Sequence, residues 1–103
     1  MSTSTVQHIK AAAAAAGPRG EKEHVRFENN SLNHWVLESL PRGDDHSNDY
    51  NVSIYVIAGQ LAVFPEGADV INVEAGDSVL VPAGATYSMS AQSVELIEVR
   101  NRA

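Results

Sequence analysis

From residue 24 onward the chain is a succession of short apolar runs closed by turn signals. No 3.6-residue period runs through them, which disfavours helical and βαβ architectures. The runs fall at 24–27, 34–40, 51–57, 60–64, 70–73, 78–81, 86–90 and 94–100. The clearest is 51–57, where Val52, Ile54 and Val56 share one face and Ser53, Tyr55 and Ile57 the other. Between the runs stand Pro41-Arg42-Gly43, Glu66-Gly67-Ala68-Asp69, Glu74-Ala75-Gly76-Asp77 and Pro82-Ala83-Gly84. Glycine supplies the positive φ that such turns need, and proline ends a ladder by removing its donor. Ala58-Gly59 is a shorter break, and it predicts a tight hairpin between 51–57 and 60–64. Roughly eight short strands at this spacing predict an all-β sandwich or closed barrel.

The barrel domain so defined spans 24–103, and 1–23 form an arm and linker of different composition. Ser4 and Gln7 have the spacing of a capping box, and Gly17-Pro18 is a stop signal, so the arm is expected to be helical over 5–16 or flexible. It would dock loosely on its own barrel or pack on a partner subunit, and 19–23 reads as a solvated linker. Ala11 to Ala16 is weakly hydrophobic and falls short of the roughly 7–15-residue apolar stretch of a secretion signal. A length of 103 residues suits one domain. A net charge of −6 argues against nucleic-acid binding, which needs a basic surface. No run approaches the roughly 20 apolar residues of a membrane span. The chain has no cysteine, which excludes disulfides, thiolate metal sites and Cys nucleophiles and fits the cytoplasm.

Gly76 is followed after five residues by Pro82, and Gly84 stands one residue beyond; upstream, Tyr55-Val56-Ile57-Ala58-Gly59-Gln60-Leu61 ends a second patterned stretch on Gly59. In these features residues 40–87 resemble the two motifs of the cupin family, the small jelly-roll barrels that often bind a metal. The resemblance implies a cupin-like jelly-roll β-barrel. The family's ligand positions then fall on His46, Asn48, Val52 and Tyr87, so one ligand of four is retained, as His46. The trailing asparagine of the family falls on Ala91, and the upstream glycine falls on Leu40, with Gly43 nearby.

In that register 46, 48 and 52 share a parity and face one side of an extended strand, implied to be the barrel interior. An imidazole, a carboxamide and a phenol would converge there, with Val52, Ile54, Val56 and Met89 as apolar walls. Valine cannot ligate, and an amide and a protonated phenol are weak ligands, so His46 is the single candidate metal ligand and no cofactor is predicted. Asp44, Asp45 and Asp49 could add ligands for a divalent transition metal only if the loop bulges, because a regular strand aims Asp45 and Asp49 away from His46. The expected function is binding of a small organic molecule, neutral or anionic, through His46, Asn48, Val52 and Tyr87. One alternative is a small cupin enzyme, an isomerase, lyase or dioxygenase, using His46 with Tyr87 or an unusual metal. Another is a structural barrel that mainly dimerises. The plain alternative is that His46 and Tyr87 are hydrogen-bonded barrel residues. A homodimer is expected, since cupins commonly pair and this core is small. His8, His24 and His34 read as surface residues and Trp35 as core. No nucleophile elbow or phosphate-binding loop is present.

Overall fold

The computed structural model describes residue 10 and residues 15–16, 22–27 and 30–102. These hold nine strands and no helix: β1 Ala15–Ala16, β2 Lys22–Phe27, β3 Asn30–Leu37, β4 His46–Ser47, β5 Asn51–Pro65, β6 Ile71–Glu74, β7 Ser78–Val81, β8 Thr86–Ser90 and β9 Val94–Asn101. Every pairing is antiparallel. One sheet runs β1-β2-β3-β9-β5-β7, and the second joins β6, β5, β8 and β4. The all-β architecture expected from the turn spacing is therefore observed, in the two-sheet jelly-roll form that the cupin resemblance implies.

β5 belongs to both sheets and holds them together. Its first half pairs with β7 and β9, and its second half with β6 and β8. The hairpin predicted at Ala58-Gly59 is therefore replaced by a corner within one continuous strand. The ladder to β9 slips between Val56 and Ala58, and Gly59 takes φ +81°. A Cβ on Gly59 would stand 2.2 Å from the Ser93 carbonyl oxygen, so the approach of the two backbones requires glycine. A hairpin and a corner both call for positive φ at this point; the partners of 60–65, which lie far along the chain, decide between them.

The pattern along β5 gives the core. Val52, Ile54 and Val56 are buried while Ser53, Tyr55 and Ile57 are exposed, as the alternation predicts, and after the corner Leu61 and Val63 continue the buried row with Leu96 of β9 beside it. β3 begins at Asn30 and not at His34 as predicted. Ser31 and Asn33 point inward and are buried, with Asn33 Nδ2 donating to Ser31 Oγ at 3.3 Å, so a polar inward row hides the strand from a reading based on apolar runs.

Most of the helix expected over 5–16 lies outside the described residues, but its end does not: Ala15–Ala16 is extended and pairs with Lys22 and Glu23. The same pairing places Lys22 and Glu23 in β2, where a solvated linker was expected. The ladder satisfies backbone groups that a short isolated helix would leave to water.

The outer face of the first sheet carries large apolar groups in cross-strand rows: Val99 lies opposite Ser53, which lies opposite Leu80, and Tyr55 lies opposite Ile97. Val36 is 62% exposed, Leu80 65% and Tyr55 49%. A patch of this kind is unusual on a surface that faces only water.

Candidate functional site

The turn at Pro82-Ala83-Gly84 positions the site. Gly84 takes φ +87°, its N–H donates to the Asn48 carbonyl at 2.8 Å, and Ala83 N–H donates to Asn51 Oδ1 at 2.9 Å. These bonds lay the 46–51 segment along β8, where His46 stands opposite Tyr87. The imidazole and phenol rings lie 4.6 Å apart between centroids at 47°, and Asn48 Nδ2 donates to the Tyr87 hydroxyl at 3.0 Å. Three of the four expected residues thus meet in one cluster. Val52, the fourth, is buried in the core and pairs with Val81 and Arg100.

Tyr87 is almost fully buried, and that burial pushes its phenol above the usual value; the N–H from Asn48 opposes the shift, and Glu98 adds to it. Folding therefore favours the protonated phenol. This contribution is complete below the ordinary phenol pKa of about 10 and is lost as pH rises through the higher folded value. Unfolding midpoints followed upward from about pH 9 are expected to fall more steeply for the natural chain than for Tyr87→Phe. Equal alkaline slopes would contradict the shift.

The donor set does not suit a metal. Val52 offers no ligand, the Asn48 amide is engaged with Tyr87, and the Tyr87 phenol holds its proton. Among the described residues no group of three or more His, Asp or Glu side chains is placed to hold an ion. Of the nearby acids, Asp49 bonds Arg102 at 3.1 Å and Asp45 lies 4.0 Å from Arg42.

Beside this cluster lies a cavity of about 300 Å³, which His46 lines and Asn48, Val52 and Tyr87 do not. Its apolar walls are Trp35, Leu37, Ile54, Leu61, Met89 and Leu96. Ile54 and Met89 are walls as expected, while Val52 and Val56 belong to the core behind. Trp35, read as core, packs against the core and lines the cavity as well. One side is formed by the loop between β3 and β4. A bridge between Leu40 and Ala91 pins that loop (2.7 and 2.8 Å), as does Arg42, whose Nε donates to the buried Ser88 Oγ at 2.9 Å and whose guanidinium lies 4.0 Å over the Phe64 ring.

The polar group that sequence reasoning missed is Glu98, on the inward face of β9. It is 7% exposed and lines the cavity, and its Oε1 accepts from Trp35 Nε1 at 3.3 Å and from Arg100 Nε at 2.9 Å. Asp44 and Ser88 complete the polar lining. His34, read as a surface residue, stands half-buried on the outer face and bonds Glu95 Oε2 at 2.8 Å.

No family model and no curated protein matches this sequence. Solved structures do. The chain superposes on a cupin-2 domain protein of Shewanella frigidimarina with a TM-score of 0.68 at 15% identity, covering 80% of this chain and 79% of that one. For a cupin superfamily protein of Desulfitobacterium hafniense the TM-score is 0.72 at 8% identity, covering 90% and 87%. The chain has the cupin fold. KdgF of Halomonas sp. is similar over 96% of both chains, with a TM-score of 0.75 at 16% identity. At such identities the likeness concerns the backbone, so the cupin barrel of this chain has to be read for chemistry from its own side chains. Those side chains are a His46–Tyr87–Asn48 cluster beside an apolar cavity that holds a buried carboxylate.

Proposed function

We propose that this cupin barrel binds a small organic molecule in the cavity beside His46 and works without a complete metal centre. The observation that carries this reading is the cavity itself. Its volume of about 300 Å³ lies at the small end for ligand pockets, and its apolar walls surround a few convergent polar groups, His46, Ser88 and Glu98. His46 is the recognition group that the cluster orients. Tyr87 packs against its ring, and Asn48 holds the Tyr87 hydroxyl. The protein purified without added metal is expected to carry well under one equivalent of any transition metal by elemental analysis. Native mass spectrometry is expected to find a co-purified organic molecule, held less well by His46→Ala and Tyr87→Phe. Stoichiometric zinc, iron, nickel or manganese that disappears in His46→Ala would overturn the proposal in favour of a metalloenzyme.

The exposed face formed by Val36, Tyr55, Leu80 and Val99 supports a second part of the proposal, that two copies pair through it. An acidic chain repels its own copies elsewhere, whereas on this face Glu95 is already matched by His34. Sedimentation at micromolar concentration is expected to show particles heavier than 11.0 kDa, and monomers alone would exclude the pairing.

A further inference from the structure

The titratable groups lining the cavity are Asp44, His46 and Glu98, and no lysine or arginine is among the described residues that line it. The nearest cations are already engaged: Arg100 Nε donates to Glu98 Oε1 and Arg42 Nε to Ser88 Oγ. An anion entering here would meet the carboxylates of Asp44 and of Glu98, the second already paired with Arg100, and no lysine or arginine among the described residues of the cavity wall. Both bonds to Glu98 fall on Oε1. Among the described residues no hydrogen bond reaches Oε2, so that oxygen keeps its acceptor positions while Glu98 lines the cavity. A carboxylate oxygen held at an apolar wall with an acceptor position to spare recognises a donor, and a charged donor best.

We infer that the ligand of this cavity is an organic amine, its ammonium group seated against Glu98 Oε2 and its apolar chain along Ile54, Leu61 and Leu96. The inference rests on the proposed small-molecule function and narrows it. The neutral or anionic ligand expected from the sequence takes no account of Glu98. With that carboxylate inside the cavity, an anion is the least favoured occupant and a neutral alcohol an intermediate one. Trp35 and Arg100 both donate to Glu98 Oε1, so the carboxylate is oriented before the ligand arrives and little ordering remains to be done on binding.

The test uses three probes of equal chain length, hexylamine, 1-hexanol and hexanoate, at neutral pH. Trp35 is the single tryptophan and lines the cavity, so its fluorescence reports entry directly. Hexylamine is expected to bind about tenfold or more tighter than 1-hexanol, the range for a hydrogen bond to a charged group, with hexanoate weakest. Glu98→Gln keeps an Oε1 acceptor for Trp35 and Arg100. It is expected to bring hexylamine down to about the affinity of 1-hexanol, and hexylamine staying about tenfold tighter than 1-hexanol in that variant would overturn the amine inference. If that variant does not fold, the order of the three probes on the natural chain decides alone. Hexanoate or 1-hexanol binding as tightly as hexylamine would overturn the amine inference and leave the small-molecule function standing. Failure of all three to perturb Trp35 would overturn both.

Discussion

Gly59→Ala is expected to destabilise the barrel by about 2–5 kcal/mol. Two costs combine. A residue with a Cβ at φ +81° loses about 1–2 kcal/mol in the left-handed region. The added methyl also meets backbone, not a side chain that could swing aside: Ser93 O at 2.2 Å, with Ser93 C and Val94 Cα at 3.0 Å. Overpacking of this kind costs about 1–3 kcal/mol more. For a domain whose whole stability is about 5–15 kcal/mol, that loss is a substantial share of the total. Gly67→Ala is the control, because Gly67 has a similar φ of +74° but nothing within 4 Å of its would-be Cβ. It carries the conformational cost alone and is expected to lose about 1–2 kcal/mol. Urea midpoints compare the two. If Gly59→Ala is no worse than Gly67→Ala, the corner yields and the close approach to Ser93 does not determine the path of β5.

The glycine at the corner also shows where sequence reasoning succeeds and where it stops. Positive φ at 59 is legible, because Ala58-Gly59 breaks an alternating run; whether the chain turns back or turns a corner is not, because that depends on Asn72, Ser90 and their neighbours pairing with the second half of β5. The turn at Pro82-Ala83-Gly84 is legible for the opposite reason. Its glycine and proline spacing is local, and the bond from Gly84 N–H to the Asn48 carbonyl follows once two adjacent strands are assumed. The meeting of His46, Asn48 and Tyr87 was implied by the cupin resemblance, whose ligand positions fall on these residues; spacing alone would not bring Tyr87 to the other two.

Glu98 was beyond reach for a specific reason. Along 94–99 each parity carries one glutamate: Val94, Leu96 and Glu98 on one side, Glu95, Ile97 and Val99 on the other. Hydrophobic patterning cannot choose between them. The inward set is selected by its partners, because Trp35 and Arg100 supply donors to Glu98 that make burial of a carboxylate tolerable, while Glu95 finds His34 on the outer face. The signal available in the sequence was a tryptophan on one candidate strand and an arginine two residues beyond the acid on another. It gains meaning only when β3 is known to lie beside β9. The cavity was hidden by the same dependence on tertiary pairing, since its walls come from β3, β5, β8, β9 and a loop pinned by the Leu40–Ala91 bridge.

Core and cavity share side chains, so a change that weakens the fold is also expected to alter the ligand. Leu61 is fully buried and Ile54 nearly so; both belong to the core cluster, and both line the cavity. Leu61 sits two residues past the corner in β5, opposite Val73 of β6, and the β6 ladder, with the β8 ladder starting at Ala62, holds its backbone in place. With the backbone so constrained, the space left by a truncated side chain cannot collapse readily. Leu61→Ala is therefore expected to cost about 2–5 kcal/mol, the range for removing a buried leucine. The vacated volume lies against the existing cavity and extends it along the direction proposed for the ligand's apolar chain. In the Trp35 fluorescence titration the variant is thus expected to shift its preference from hexylamine to octylamine, while Leu80→Ala on the exposed outer face leaves both the urea midpoint and the preference near those of the natural chain. A Leu61→Ala protein as stable as the natural chain would show that the site relaxes around the lost side chain. A destabilised protein with unchanged chain-length preference would show that the ligand's apolar end lies elsewhere than along Leu61.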